Sequence, residues 1–319
     1  MNFRNRLNYN GNIEDISNRI CQDFDLGKFK SNKVVLQGYE DFNLILETES
    51  KKYFVKIFNN FRSLEDCQRY VDILINVINA RISTSELLES KQGFLHNIKL
   101  NDRELNLCVM KYIQGKNFYE LNKPLTKNQI KFLARQASHI NSINIKPSFV
   151  YDSWAAVNFK KEFQTKSEYL TTSDLKLIQP LIKYFDEMDV DKLPHCFVHG
   201  DIITTNVMED NNSNLYIVDF SVSNYYPRIQ EIAVLACNLL FDSNSVTNSK
   251  NNLKMALEEY QKKIKLTDLE LRHLPKYIQF AHAMHLLCAN YEQIVNKNNS
   301  KENKYWLNQG RSGLEQSCK

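Results

Sequence analysis

The stretch CFVHGDIITTNVMEDNNSNLYIVDFS, residues 196–221, sets two apolar strand-like runs on either side of a turn rich in Asn and Asp, with Asp201, Asn206 and Asp219 at their ends. Carboxylate and carboxamide oxygens are the donors that hard divalent cations take. Phosphoryl transfer asks little covalent chemistry of a protein. It asks for a positioned acceptor, a positioned phosphate and cations to neutralise charge. An Asp in a loop can take the acceptor hydroxyl's proton, an Asn a short way on can ligate magnesium, and a second Asp after a strand can bridge metal to phosphate. Asp201, Asn206 and Asp219 meet those demands in that order. The bland alternative is that they decorate turns between strands.

On the N-terminal side, KVVLQGY (33–39), FNLILETE (42–49) and KYFVKIF (52–58) read as strands. In SLEDCQRYVDILINVI (63–78) the apolar residues Leu64, Cys67, Val71, Leu74, Ile75 and Ile78 recur at helical spacing, and Ser63 with Asp66 forms a capping box. LNLCVMKYIQG (105–115) is a further strand running into a turn at Gly115. Beyond it come helical segments at 126–143, 172–188, 228–241, 252–263 and 275–296, interrupted once by the strand, turn and strand of 196–221. The expected fold is therefore α+β, a small antiparallel-sheet lobe over 1–112 and a larger, mainly helical lobe over 113–319. The tract NKNNSKENK (296–304) reads as a solvated loop.

The loop HGDIITTN has the spacing H-x-D-x-x-x-x-N of a kinase catalytic loop. With Gly200 between the His and the Asp, and an apolar strand YIVDF (216–220) that ends in Asp and an aromatic residue, it resembles the aminoglycoside phosphotransferase and choline kinase-like group of small-molecule kinases. The resemblance spans about residues 33–241 and is strongest at 196–220. It implies a bilobal protein kinase-like fold, Asp201 as catalytic base, and Asn206 and Asp219 as magnesium ligands. His199 in such loops is a structural hydrogen-bonding residue. Departures exist: Ser221 and no glycine follow Asp219, and Pro227 and Glu231 replace the group's glycine-containing segment and helix-start Asp. Glu231, in the first turn of a helix, suits the helix dipole and reads as structural.

The same resemblance supplies the nucleotide half. It makes Lys56, on the third strand, the cation for the nucleotide phosphates, although a lone strand Lys is by itself more often a solvent-face residue. The carboxylate partner of Lys56 is Asp72 by the group's register, with Glu65 as the alternative on the same helix flank. VMKYIQG (109–115) resembles the connector that pairs with adenine through backbone groups, which points to the Lys111 carbonyl and the Ile113 amide. LQGYEDFNLILE (36–47) takes the place of a phosphate-covering hairpin, yet its single Gly38 does not make a glycine-rich loop.

Composition narrows the partners. With 41 basic and 37 acidic side chains among 319 residues, interspersed to a net charge of +4, nothing argues for nucleic acid. No apolar run reaches membrane-spanning length, so a cytoplasmic protein without a membrane partner is expected. The seven cysteines are odd in number, scattered and never CxxC, which signals neither a disulfide framework nor a zinc site. His282 and His285, one turn apart on an apolar helix, read as core or pocket-lining residues. Asp152 and Trp154 read either as contacts to a cationic or sugar substrate or as a packed helix start. The expectation is an ATP- or GTP-dependent, magnesium-using kinase of a small hydroxylated molecule: an aminoglycoside, amino alcohol, hydroxy amino acid or sugar. A kinase-like regulatory protein with little turnover is the alternative, and a protein kinase is disfavoured because the chain lacks the H-R-D and A-P-E segments.

Overall fold

The computed structural model describes residues 6–35, 41–100 and 103–317. The chain divides into two compact units, Met1–Gly115 with Asp210–Val218, and Lys116–Glu209 with Asp219–Lys319. The division falls a few residues past the one read from sequence. The Asn- and Asp-rich turn at 210–218 groups with the first unit.

In the first unit α1 (Ile13–Asp23) precedes β1 (Phe29–Val35), β2 (Phe42–Thr48) and β3 (Lys52–Ile57), then α2 (Leu64–Asn79), β4 (Leu87–Leu88), β5 (His96–Leu100) and β6 (Arg103–Lys111). The strands form one antiparallel sheet in the order β1-β2-β3-β6-β4, with β5 paired to the first half of β6. Period-2 alternation explains the core: Phe42, Leu44 and Leu46 of β2 lie on one sheet face beside Val55 and Ile57 of β3 and Leu107 and Val109 of β6. Ser63 and Asp66 close the capping box of α2, as their spacing predicts.

The chain then passes through β7 (Gly115–Asn117) into α3 (Phe118–Leu121), α4 (Lys127–Ile140), α5 (Phe159–Lys166) and α6 (Thr172–Glu187). The strands β8 (His195–Val198), β9 (Val207–Asp210), β10 (Leu215–Ile217) and β11 (Asn224–Pro227) follow, and then α7 (Ile229–Cys237), α8 (Val246–Tyr260), α9 (Asp268–Ile294) and α10 (Lys301–Ser317). β8 pairs antiparallel with β11, Val198 opposite Asn224, so the segment entering the HGD loop lies beside the segment leaving Asp219. α9 is the axis of the second unit; its stretch from Phe280 to Asn290 is buried under α5, α7 and α10.

Several boundaries differ from the sequence reading, among them that of α8, which runs Val246–Tyr260 where 252–263 was expected. α9 begins at a Thr267–Glu270 capping box and runs through Pro275, where the helix was expected to start. α7 stops at Cys237, because Asn238 leaves the helical region (φ −115°, ψ −87°). The tract read as a solvated loop is one over 296–300, whereas its last four residues, 301–304, open α10, which lies against α9 along a notch of small residues. A Cβ on Gly310 would stand 2.5 Å from the Leu286 backbone nitrogen, and one on Gly313 2.1 Å from the His282 ring. Gly313→Ala should therefore lower the melting temperature despite alanine's better helix propensity, since overpacking costs about 1–3 kcal/mol. A melting point at or above that of the parent would show that the two helices are not this close.

Candidate active site

The loop from His199 to Asn206 leaves β8 through Gly200, whose φ of +82° lies in the left-handed region that favours glycine. The His199 ring packs against Phe220 (4.4 Å between centroids), and its Nδ1 accepts the Asp201 amide at 3.1 Å. Asn206 Nδ2 donates to Asp201 Oδ2 at 2.7 Å and to the Asp201 carbonyl at 3.1 Å. Both bonds use the amide end of the carboxamide, so Oδ1 is the end available for a cation.

Asp219 sits at φ +65°, a left-handed conformation that a non-glycine residue adopts at a cost of about 1–3 kcal/mol. Ser221 Oγ donates to its Oδ1 at 2.5 Å. Asp201 as a residue is partly exposed, but burial of its carboxyl, reinforced by the charges of Asp152 and Asp219, holds its pKa well above the carboxylate range. The candidate base and the candidate metal ligands thus share one electrostatic environment within the second unit.

Glu231 does something its sequence context does not announce. It is fully buried, and its Oε2 accepts the His199 amide at 2.6 Å and Asn141 Nδ2 at 3.3 Å. The Gly200 amide donates to the same carboxylate. It is structural, as read, but it holds the backbone of the HGD loop. Asn141 is fixed in turn by its bond to the Phe197 carbonyl and by the Tyr260 hydroxyl. Burial lifts the Glu231 carboxyl to about 7. His282 and His285 are likewise buried, and desolvation lowers them to about 3 and about 4, so both are neutral core imidazoles.

In the first unit Lys56 is only 4% exposed. Its expected partner is corrected by the structure: Asp72 is exposed and accepts from Gln68 at 2.8 Å, and Glu65 is exposed as well. Lys56 Nζ instead meets Asp41 Oδ2 at 3.2 Å and stands 4.9 Å from the centre of the Tyr70 ring. The register explains this. Asn43 lies opposite Lys56, so Asp41, two residues earlier, is its diagonal neighbour on the same sheet face. A pairing argument from the β2–β3 hairpin, rather than a search along the helix, was the signal that could have found it.

Asp41 is a hub. Arg62 donates to it through Nε (2.8 Å) and Nη2 (3.1 Å), the Asn59 amide at 3.1 Å, and Arg6 Nη1 reaches its carbonyl at 2.8 Å. Burial pushes the Asp41 carboxyl up, yet Lys56 and Arg62 outweigh it and hold the pKa below the ordinary value. At the connector, the Lys111 carbonyl, one of the two expected adenine contacts, already accepts the Ser85 hydroxyl, while the Ile113 carbonyl accepts the Gly115 amide. The turn around Gly38 lies outside the described residues.

Residues 32–262 match the Phosphotransferase enzyme family, and the chain belongs to that family. It is a small-molecule kinase, a phosphotransferase that acts on hydroxyl groups. It is 19% identical to the homoserine kinase of Zymomonas mobilis over 259 residues, 81% of this chain and 79% of that one. Its fold, with an antiparallel sheet in the N-terminal region and helices in the C-terminal part, is that of protein kinase-like phosphotransferases. An amicoumacin kinase solved with AMP-PNP, Ca2+ and its antibiotic superimposes with a TM-score of 0.69 at 15% identity, covering 99% of this chain and 96% of that one. A choline kinase from Streptococcus pneumoniae does so with a TM-score of 0.62 at 14% identity, covering 95% and 99%. Among the described residues no helix is long and apolar enough to cross a membrane.

The desolvated Glu231 has a pH signature. Its carboxyl titrates near 7 when folded, above the ordinary glutamate value, so its contribution is complete below that ordinary value and is lost as pH rises through about 7. Glu231→Gln has no charge to bury. Between pH 5 and pH 8 the parent should lose up to about 3 kcal/mol relative to this variant, read from melting curves. A parent that gained on the variant over that range would show that the carboxylate is not desolvated.

Proposed function

We propose that this chain transfers the γ-phosphate of ATP or GTP to a hydroxyl of a small molecule in the cytoplasm. In this reading Asp201 is the base, and Asn206 and Asp219 hold Mg2+. The observation that carries it is the Asn206–Asp201 clamp, which engages the nitrogen of the carboxamide and leaves its oxygen to serve a cation. Asn206 Oδ1 and the Asp219 carboxylate are hard oxygen donors, a set that suits Mg2+ with its remaining positions filled by phosphate and water. The bound ion would supply charge neutralisation for the transferring phosphoryl group.

The chain's own residues do the rest. Asp201 accepts the acceptor hydroxyl's proton, and its raised pKa makes it a stronger base than a solvated carboxylate. Lys56, seated by Asp41, binds the nucleotide phosphates, and the Ile113 amide as donor and the Lys111 carbonyl as acceptor, which can accept a second bond beside that from Ser85, pair with adenine. Asp152, whose charge is felt at Asp201, stands two residues from Trp154, an acid and an aromatic suited to an acceptor that carries an ammonium group.

Asp201→Asn should reduce ADP release with a panel of amino alcohols and hydroxy amino acids by a factor of about 10²–10⁴ while leaving nucleotide affinity within a few-fold. Normal turnover by that variant would remove the assigned base. Asp219→Asn, which tolerates the left-handed backbone, should weaken Mg2+-dependent nucleotide binding; titration calorimetry with and without the ion reads it. Because the base must be ionised, rates should fall with decreasing pH from a value above the ordinary carboxylate range. Asp152→Asn should move that acid limb to lower pH, and a limb that did not move would separate Asp152 from the site.

A further inference from the structure

The family match ends at residue 262, before α9 and α10, yet α10 reaches the loop that carries Asp201 and Asn206. The connection is a short run of buried amides. The Thr204 backbone N–H donates to Asn238 Oδ1 at 2.9 Å, Asn238 Nδ2 donates to Gln309 Oε1 at 3.1 Å, and Gln309 Nε2 returns to the Asn238 carbonyl at 3.4 Å. Asn238 is 3% exposed and Gln309 8%. The chain of bonds has one direction only. Thr204 offers a proton, so Asn238 must turn its oxygen to the loop and its nitrogen to Gln309, and Gln309 must take the opposite sense.

Two further observations place α10 so that this works. Asn238 is the residue at which α7 breaks out of helical geometry, which brings its side chain to the loop instead of continuing the helix. Gly310, next to Gln309, lets the α10 backbone lie close against His282 and Leu286 of α9, where any Cβ would clash. Beside the amides, Trp306 of α10 packs in one apolar cluster with Ile203 of the loop, Val234 of α7 and Ala289 of α9.

We propose that Gln309 is a positioning residue for phosphoryl transfer: through Asn238 it fixes the Thr204 amide and with it the path of the loop between Asp201 and Asn206. The claim rests on the functional reading above. Glu231 holds the loop at its entry and the Asn238–Gln309 pair holds it near its exit, so the base lies between two buried fixed points and the candidate metal ligand lies two residues beyond the second.

The test compares Gln309→Leu, Gln309→Glu and Arg311→Ala in the full chain, with Asp201→Asn as reference. It reads ADP release with the most active alcohol of the panel and deuterium exchange at the Thr204 amide. Gln309→Leu keeps the volume and loses both hydrogen bonds; kcat should fall roughly tenfold, the nucleotide KM should stay within about twofold, and exchange at Thr204 should rise by a similar factor. A glutamic acid at 309 reproduces the amide pair only when protonated. Its kcat relative to the parent should therefore be near normal at low pH and fall as the carboxyl ionises, a profile that a merely structural role would not give. Arg311 pairs with Asp174 of α6 at 2.8 Å and 2.9 Å; Arg311→Ala should lower the melting temperature without changing kcat or Thr204 exchange.

Parent-like kcat and exchange in Gln309→Leu, or losses in Gln309→Leu and Arg311→Ala that track melting temperature alike, would overturn the proposal. If the leucine variant does not fold, the pH profile of the glutamate variant decides it. An active Asp201→Asn would instead sink the functional reading beneath it, so the two failures are distinguishable.

Discussion

Burial of the Glu231 carboxylate is the constraint on which the second unit is organised. An isolated anion in a dry interior is costly, and this one is tolerated because the amides of His199 and Gly200 and the carboxamide of Asn141 point at it. Those amides belong to the segment that must turn sharply to present Asp201. The acid and the turn therefore require each other: without the turn the carboxylate is unsolvated, and without the carboxylate consecutive buried N–H groups lack acceptors. Glu231 contributes through the backbone amides of the loop, and the proposed chemistry stays with the loop's side chains.

The first unit repeats the logic with cations in place of most of the neutral amides. There a single buried carboxylate, Asp41, gathers Lys56, Arg62, the Asn59 amide and, through its carbonyl, Arg6. An ammonium in a strand interior is stable only with such a counter-charge, and the β2–β3 register brings it from the hairpin instead of from the neighbouring helix. Tyr70 stands on the helix face towards Lys56 and offers a ring, while the acids of α2 remain in solvent.

What the sequence made legible follows from the range of the interactions involved. The strands β2 and β3, the capping box of α2 and the HGD loop with its partner Asp219 are local patterns of period, spacing and residue type, and they could be read directly; of the strand read over 33–39 only 33–35 lie among the described residues, at the end of β1. The partner of Lys56 depended on which residues a hairpin sets on one face, and the search along α2 looked in the wrong element. The role of Glu231 and the reach of Gln309 depend on tertiary placement across tens of residues, for which one sequence carries no spacing rule. α10 was hidden by composition: its approach is almost wholly polar, and its small residues mark a packing notch instead of an apolar stripe.

The order in which these supports appear along the chain matters during synthesis. The loop at 199–206 and its first brace, Glu231, emerge from the ribosome together, and domains consolidate from the N-terminus as translation proceeds. The second brace is carried by α10, far downstream of the loop. A nascent chain that already holds every residue of the candidate site still lacks the segment that completes the loop's hydrogen bonding, so the Thr204 amide gains its full support only once α10 has emerged and docked.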